Sequence, residues 1–501
     1  MPFRKTYSHT NTHKNAGMYR HSYSSKKKVD MTEGPLLGKI LLFSLPLIAT
    51  NLLQMLYNAA DMMVVTLSGE GDAVGAIGMT GPYINLILNI FFGFAIGANV
   101  MVARHLGAKD DARAQRTTHT AISMSVIFGL VSALLGLLLS RSVLSLMGAT
   151  GNLLELATRY CLFYCAGIPF VSLANYLISI FRAKGDTKTP LVILSISGVA
   201  NVLLNLFFVL VCDMSVEGVA LATSIANVLS VVMLTLRLSR DAGPCRFSFR
   251  KLCLDRQAFL DIFRIGLPAG IQGSLFSLSN MQIVSSIIKV NDLLAPVGST
   301  YQPVVNGNAA AGNLEGFAYT AQNCLYQAAV TFTSQNVGAR KPRRVFRIML
   351  SCYLLGASVA AIFGVGMFLL RAPLLSLYSV AAAPAGTAEA VAYSAAVTRM
   401  LYVFLTYPII SFMEVGCGIL RGLGKSLSST VISLLGACGF RILWISLVFT
   451  AFPSLETIYL SYPLSWGLSG IVFCLYSVFL LRGMIKRQRQ EEQVMECPAV
   501  V

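Results

Sequence analysis

Asn51, Gln54, Asn58 and Asp61 follow one another at spacings of 3, 4 and 3 residues inside an otherwise apolar stretch. That spacing sets four polar side chains on one stripe of an α-helix. Asn85 with Asn89, and Asn201 with Asn205, repeat the amide theme at i, i+4. Where water is scarce, a carboxylate among amides avoids an unpaired charge in one of two ways. It takes a proton, or it holds a cation whose other ligands are amide and hydroxyl oxygens. Either supplies ion coupling, and Asp61 would be a metal ligand only in the Na+ case. The alternative use of the amides is a hydrogen-bonded seam between helices with no ion.

Acids are fewer in the second half. Glu315, Tyr319, Gln322 and Tyr326 share one helical face, and Glu414 precedes Arg421 by seven residues, about 10 Å along a helix. These acids either line a cavity and attract a cationic substrate or serve as interhelical partners, for instance for Arg441. With intramembrane residues read as acidic or amide, cationic or neutral cargo is expected.

Other chemistries have no residues to carry them. The five histidines (His9, His13, His21, His105 and His119) gather in the N-terminal segment or near one connection, which excludes a His-built intramembrane centre and an HExxH metalloprotease. Cys161 and Cys165 sit one turn apart without a nearby His, so the cysteines are expected to be free small hydrophobes rather than zinc ligands. No enzyme activity and no cofactor are expected.

The elements that position these residues follow from composition. Of 501 residues, 55% are hydrophobic and 12% charged, with a mean hydropathy of +0.67. Apolar runs of about 20 residues, the length of a membrane-spanning helix, recur from Ile40 to Met484, and twelve are expected. They lack the two-residue alternation of barrel strands. The class is an all-α polytopic membrane protein. The net charge of +17 is not a nucleic-acid signal, because the basic residues occupy alternate connections. Roughly 33 of the 39 Lys and Arg fall on one side of a twelve-helix arrangement, which the positive-inside rule makes cytoplasmic, with both termini. The first apolar run begins too late and is too long for a signal peptide.

The chain also repeats itself. Phe43-Ser-Leu-Pro46 pairs with Arg264-Ile-Gly-Leu-Pro268, His105-Leu-Gly107-Ala-Lys109 with Asn336-Val-Gly338-Ala-Arg340, Pro169 with Pro408, and Ile180-Phe-Arg182 with Ile419-Leu-Arg421. The separations are 222, 231, 239 and 239 residues. Two parallel six-helix lobes are therefore expected. The organisation reads as a basic, disordered cytoplasmic tail (1–38), a first lobe (39–240), a cytoplasmic linker (241–255), a second lobe (256–486) and a cytoplasmic tail (487–501). Asn291 to Ala311, rich in Gly, Pro and Asn, is expected as a long outer loop.

Five segments resemble the multidrug and toxic compound extrusion (MATE) family in its prokaryotic form. They are Leu56-Tyr-Asn-Ala-Ala-Asp61, Val102-Ala-Arg-His-Leu-Gly107-Ala-Lys, Phe181-Arg-Ala-Lys-Gly-Asp-Thr-Lys-Thr-Pro190, Gly218-Val-Ala-Leu-Ala-Thr223 and Leu420-Arg-Gly-Leu-Gly424. The resemblance implies export of cationic, amphipathic drugs across the cell membrane in exchange for H+ or Na+, by alternating access of two lobes. It implies Asp61 as coupling-ion residue with Asn201 and Thr223, and Pro46 as a bending point. Asn205 stands where the family often has Asp, which removes one of two carboxylates and leans toward H+. Glu414 lies close to a tenth-helix acid of the family. A monomer is expected. The rival reading is a flippase for lipid-linked intermediates, as in related two-lobed exporters.

Overall fold

The computed structural model describes residues 30–66, 73–294, 302–384 and 386–496. The connection at Gly69 to Gly71 lies outside them. The regular structure in these residues is helical. The first half contains α1 (Leu36–Thr66), α2 (Ala73–Gly107), α3 (Asp111–Leu146), α4 (Gly151–Ala183), α5 (Lys188–Leu210) and α6 (Val216–Ser239). The second contains α7 (Arg256–Leu294), α8 (Pro303–Gly338), α9 (Pro342–Leu369), α10 (Arg371–Ser376), α11 (Ala388–Arg399), α12 (Ile410–Gly422), α13 (Ser426–Ser433), α14 (Phe440–Trp444) and α15 (Leu455–Glu496). π-helical turns at Met400–Phe404, Leu434–Gly439 and Ile445–Phe449 extend the short helices into longer rods.

Among the described residues, nine helices are long and apolar enough to cross a membrane, or ten if Ala388–Phe404 and Tyr407–Gly422, bent by 40°, form one span. The bend falls at Pro408, which has no N–H to continue the ladder. Of the twelve expected runs, α7 and α8 fall short on apolarity, not length, at 39 and 36 residues. They carry inward-facing polar residues such as Gln272, Asn280, Glu315 and Asn323. Outward side chains such as Leu138, Leu354, Leu475 and Phe479 are exposed, as a lipid-facing surface requires.

The repeated landmarks end their helices alike. Lys109 and Arg340 both take a left-handed turn, at φ 57° and 54°. Their N–H groups donate to Leu106 O and Val337 O, each at 3.1 Å. Gly185 and Gly424 do the same at φ 78° and 82°, donating to Arg182 O and Arg421 O at 2.9 and 2.8 Å. In this region of φ a side chain is strained and glycine is not.

The two halves touch at this basic end. A Cβ on Gly107 would sit 1.9 Å from Gln335 O, and one on Gly338 would sit 1.9 Å from Arg104 O, so the backbones of α2 and α8 are in direct contact. Asn99 joins them deeper in the bundle, accepting from Thr331 Oγ1 at 3.1 Å and donating to Ser179 O at 3.1 Å.

α1 belongs to both halves. Before the buried Pro46, Ile40 and Phe43 pack with Phe332, Ile348 and Ile419 of the second half. After it, the helix runs along α5, where Tyr57 OH donates to Ser195 O at 3.3 Å.

Three segments differ from expectation. Both ends of Asn291 to Ala311 are helix, since α7 continues through Leu294 and α8 starts at Pro303, with Asn291 Oδ1 accepting from Val304 N at 3.1 Å, while residues 295–301 lie outside the described residues. Pro303 opens a helix as readily as it marks a loop, because the first turn needs no N–H from it. Residues 30–35, counted above with the tail, are seated on the second half. Met31 is buried, and Arg344 donates to the carbonyls of Met31, Glu33 and Gly34. The tail from residue 487 continues α15 as far as Glu496. In the linker, Ser248 N donates to His119 Nε2 at 3.2 Å while His119 Nδ1 meets Gln115 O at 2.8 Å.

Candidate functional site

Asp61 lies near the end of α1 and turns its carboxylate to α5. Asn205, fully buried, donates through Nδ2 to Asp61 Oδ1. One turn earlier on α5, the Asn201 amide stands 3.3 Å from Thr223 Oγ1 of α6. With its nitrogen facing the carboxylate, Asn201 donates to Asp61 Oδ1 at 2.8 Å. The network around an amide sets its orientation. Thr223 Oγ1 also donates to Val219 O at 3.0 Å. Asp61, Asn201, Asn205 and Thr223 therefore meet at one point, supplied by three helices of the first half. The carboxylate faces no basic side chain within ion-pair distance among the described residues.

Asn51, Gln54 and Asn58 face a different space. They line a cavity of about 770 Å³ between the halves, and Asp61 is not on its wall. Asp61 lies about 15 Å further along α1 than Asn51, where its carboxylate is taken up by the amides of α5. Asn51 Nδ2 also reaches Cys324 Sγ across the cavity edge, at 3.4 Å. Asn89 joins the lining, whereas Asn85, one turn earlier on α2, is exposed and not on the wall.

Of the second-half candidates, Glu315, Tyr319 and Glu414 are on the wall. Gln322 is not. It is buried beside Gly356 of α9 and Ser411 of α12, because α12 packs onto that turn of α8. Glu315 is held in an ion pair, its Oε2 2.6 Å from Arg399 Nη2. Arg399 Nη1 donates to Asn308 Oδ1 at 2.5 Å, and Tyr459 OH donates to the same oxygen at 3.1 Å. Glu414 makes no ion pair with Arg441. That arginine donates from Nε to Ser465 Oγ at 2.9 Å and lies 4.3 Å from the ring centre of Tyr462.

Sequence reasoning missed the basic members of the wall. Arg182, Arg421 and Arg441 all line the cavity, so the expectation that intramembrane ionisable groups are acidic is corrected. Arg182 and Arg421 read as cytoplasmic landmarks because they end helices, yet their side chains turn inward. Arg441 had a legible signal: it is the one charged residue between Ser426 and Phe449, and a lone charge in such a run faces a cavity or the bundle interior. The ten described cysteines are free.

A many-spanned helical bundle with a polar cavity between its halves and a separate half-buried carboxylate has the physical form of a membrane transporter. The MatE family model matches residues 46–207 and 294–446, and the chain belongs to this family of multidrug and toxic compound extrusion transporters. A probable multidrug resistance protein of Bacillus subtilis, YoeA, is 24% identical over 452 residues, covering 88% of this chain and 93% of that one. The multidrug export protein MepA of Staphylococcus aureus is 24% identical over 249 residues, half of this chain and 55% of its own length. Among solved structures, an outward-facing multidrug resistance MATE transporter of the MOP superfamily superposes with a TM-score of 0.81 at 20% identity, covering 92% of this chain and 99% of that one. A MOP superfamily transporter from Pyrococcus furiosus, described by a binding pocket of reverse polarity suggesting a different function, gives 0.82 at 19% identity over 91% and 98%. These relatives do not favour the flippase reading.

Proposed function

We propose that this chain is a secondary antiporter of the cell membrane. It exports amphipathic drugs or toxins from the central cavity in exchange for an ion taken up at Asp61. Twelve membrane-crossing helices form two six-helix lobes that alternate between outward- and inward-open arrangements, with both termini in the cytoplasm and a monomer as the working unit. Two kinds of observation support that layout: the matched helix ends at Lys109/Arg340 and Gly185/Gly424, and the two matched segments of similar length.

The observation that carries the reading is the separation of two polar sites. The carboxylate of Asp61 sits on Asn205 in the first half, while Asn51, Gln54 and Asn58 on the same helix line the cavity. Ion uptake on one face of α1 is thereby linked to substrate on another, and Pro46 supplies the place for α1 to bend. The coupling ion is H+. With both amide nitrogens facing Asp61, its carboxylate is the one acidic group of the four-residue cluster, and a proton needs one carboxylate. Each charge moved inward contributes about 2.3 kcal/mol per 100 mV.

Dye efflux from an efflux-deficient host, with external pH and sodium varied separately, is the test. Export by Asp61→Asn equal to wild type under an intact gradient would remove the coupling role, and dependence on sodium at fixed pH would replace H+ by Na+.

A further inference from the structure

The wall of the central cavity carries more positive than negative charge. Arg182, Arg421 and Arg441 line it against Glu315 and Glu414, and Glu315 is already paired with Arg399. Three guanidiniums then face one carboxylate. None of the three has a carboxylate within ion-pair distance among the described residues.

Their other partners are neutral. Arg421, 5% exposed, donates from Nη2 to Gln272 Oε1 at 2.8 Å and from Nη1 to Tyr326 OH, and its Nε has no partner. Arg441, 4% exposed, has Ser465 and the faces of Tyr462 and Trp466. The Arg182 side chain makes no hydrogen bond or ion pair with any described residue, and its Nε is buried. Capping helix ends would explain two arginines at helix C-termini, and Arg104 does this through Gly422 O at 3.3 Å. Arg182 binds no such carbonyl. Guanidiniums withdrawn from bulk water without an anion are unfavourable, and their planar fork matches an oxyanion in bidentate fashion.

We propose that Arg182 and Arg421 bind the oxyanion of an amphipathic organic anion, a carboxylate, sulfonate or phosphate, in the central cavity. Arg182 ends α4 and Arg421 ends α12 at repeat-matched positions, so each half contributes one guanidinium to the same ligand group. Tyr462 and Trp466, with Arg441 stacked on them, form an aromatic wall for the rest of the molecule. The inference rests on the cavity being the transport cavity and names its substrate class as anionic.

The test is equilibrium binding to the full chain in nanodiscs of neutral lipid. Trp466 is the fluorophore, in a Trp444→Phe background that leaves it the sole tryptophan. 1-Naphthylacetate is titrated against 1-naphthylmethylammonium, which differ chiefly in charge. The anion is expected to bind at least about 10-fold more tightly, the factor that about 1.4 kcal/mol represents. Arg182→Gln and Arg421→Gln should each weaken the anion by about 10-fold or more, leaving the cation unchanged or tighter. Lysine at either position should lose less, because charge remains and the fork is gone. Phosphatidylglycerol that displaces naphthylacetate assigns the site to a headgroup oxyanion, and no displacement assigns it to a soluble anion. Equal or tighter binding of the cation by the unsubstituted cavity overturns the proposal, even where a glutamine variant does not fold. So does undiminished anion binding by both folded glutamine variants. No gradient is present, so failure of ion-coupled export leaves this result standing.

Discussion

Asn205 donates its amide hydrogen to the carboxylate of Asp61, joining α5 to α1 at a half-buried point between residues 144 apart in the chain. The contact lies beyond Pro46, on the part of α1 that runs with the first half, while the earlier part packs on the second. A change in the charge of Asp61 therefore acts on a helix shared by both halves.

Asn205→Leu removes the donor and leaves a carboxylate oxygen short of a partner, at a cost of about 1 to 3 kcal/mol. Dye efflux under a proton gradient is expected to fall by about 10-fold or more. Asn205→Asp should instead create a two-carboxylate site that admits Na+. Efflux measured at fixed pH should then rise with sodium, and a flat response would count against the geometry of the cluster.

Arg399→Leu strands the largely buried carboxylate of Glu315. Breaking one partner of a buried pair costs about 3 to 5 kcal/mol, read as a fall in Tm of the detergent-solubilised protein. The double variant Glu315→Leu with Arg399→Leu should recover most of that loss, because no isolated charge remains. Equal destabilisation by single and double variants would mean that the pair does not carry the energy.

Gly338→Ala places a Cβ 1.9 Å from the Arg104 carbonyl, where no rotamer relieves it. The closure at the basic end should weaken. Amide exchange is expected to rise at 104–110 and 335–341 while the outer ends of the helices keep their protection.

The segment at 30–35 should let go at low pH. Burial raises the Asp30 carboxyl, but hydrogen bonds from the Thr32 backbone and hydroxyl, at 2.9 and 3.0 Å, and the charges of Lys39 and Lys341 hold it below its ordinary 3.8. A depressed carboxylate contributes stability above its unfolded value and loses it as pH falls through the folded one. Protection factors at 31–34, with the intrinsic pH dependence of exchange divided out, are expected to stay constant from neutrality to about pH 4 and to fall only below that, and Arg344→Ala should lower them at every pH.

What the sequence by itself determined is what hydrocarbon and helical periodicity impose on any chain. The composition required helices and a lipid-facing surface. The spacing of Asn201 and Asn205 put them on one face, and repeated Gly-Ala-Lys109 and Gly-Ala-Arg340 marked helix ends that are built alike. The tertiary structure alone decided where each polar face points. Asn51 and Asp61 read as one stripe, yet the packing of α5 along the later part of α1 leaves one to the cavity and takes the other. Gln322 shares a face with Glu315, yet α12 closes over it. Arg182 and Arg421 read as basic ends on the cytoplasmic side, and only the docking of the two halves turns them into the wall of one cavity. Spacing fixes the angle of a side chain about its own helix axis, but the charge of a cavity is a sum over helices whose mutual rotation no local spacing records.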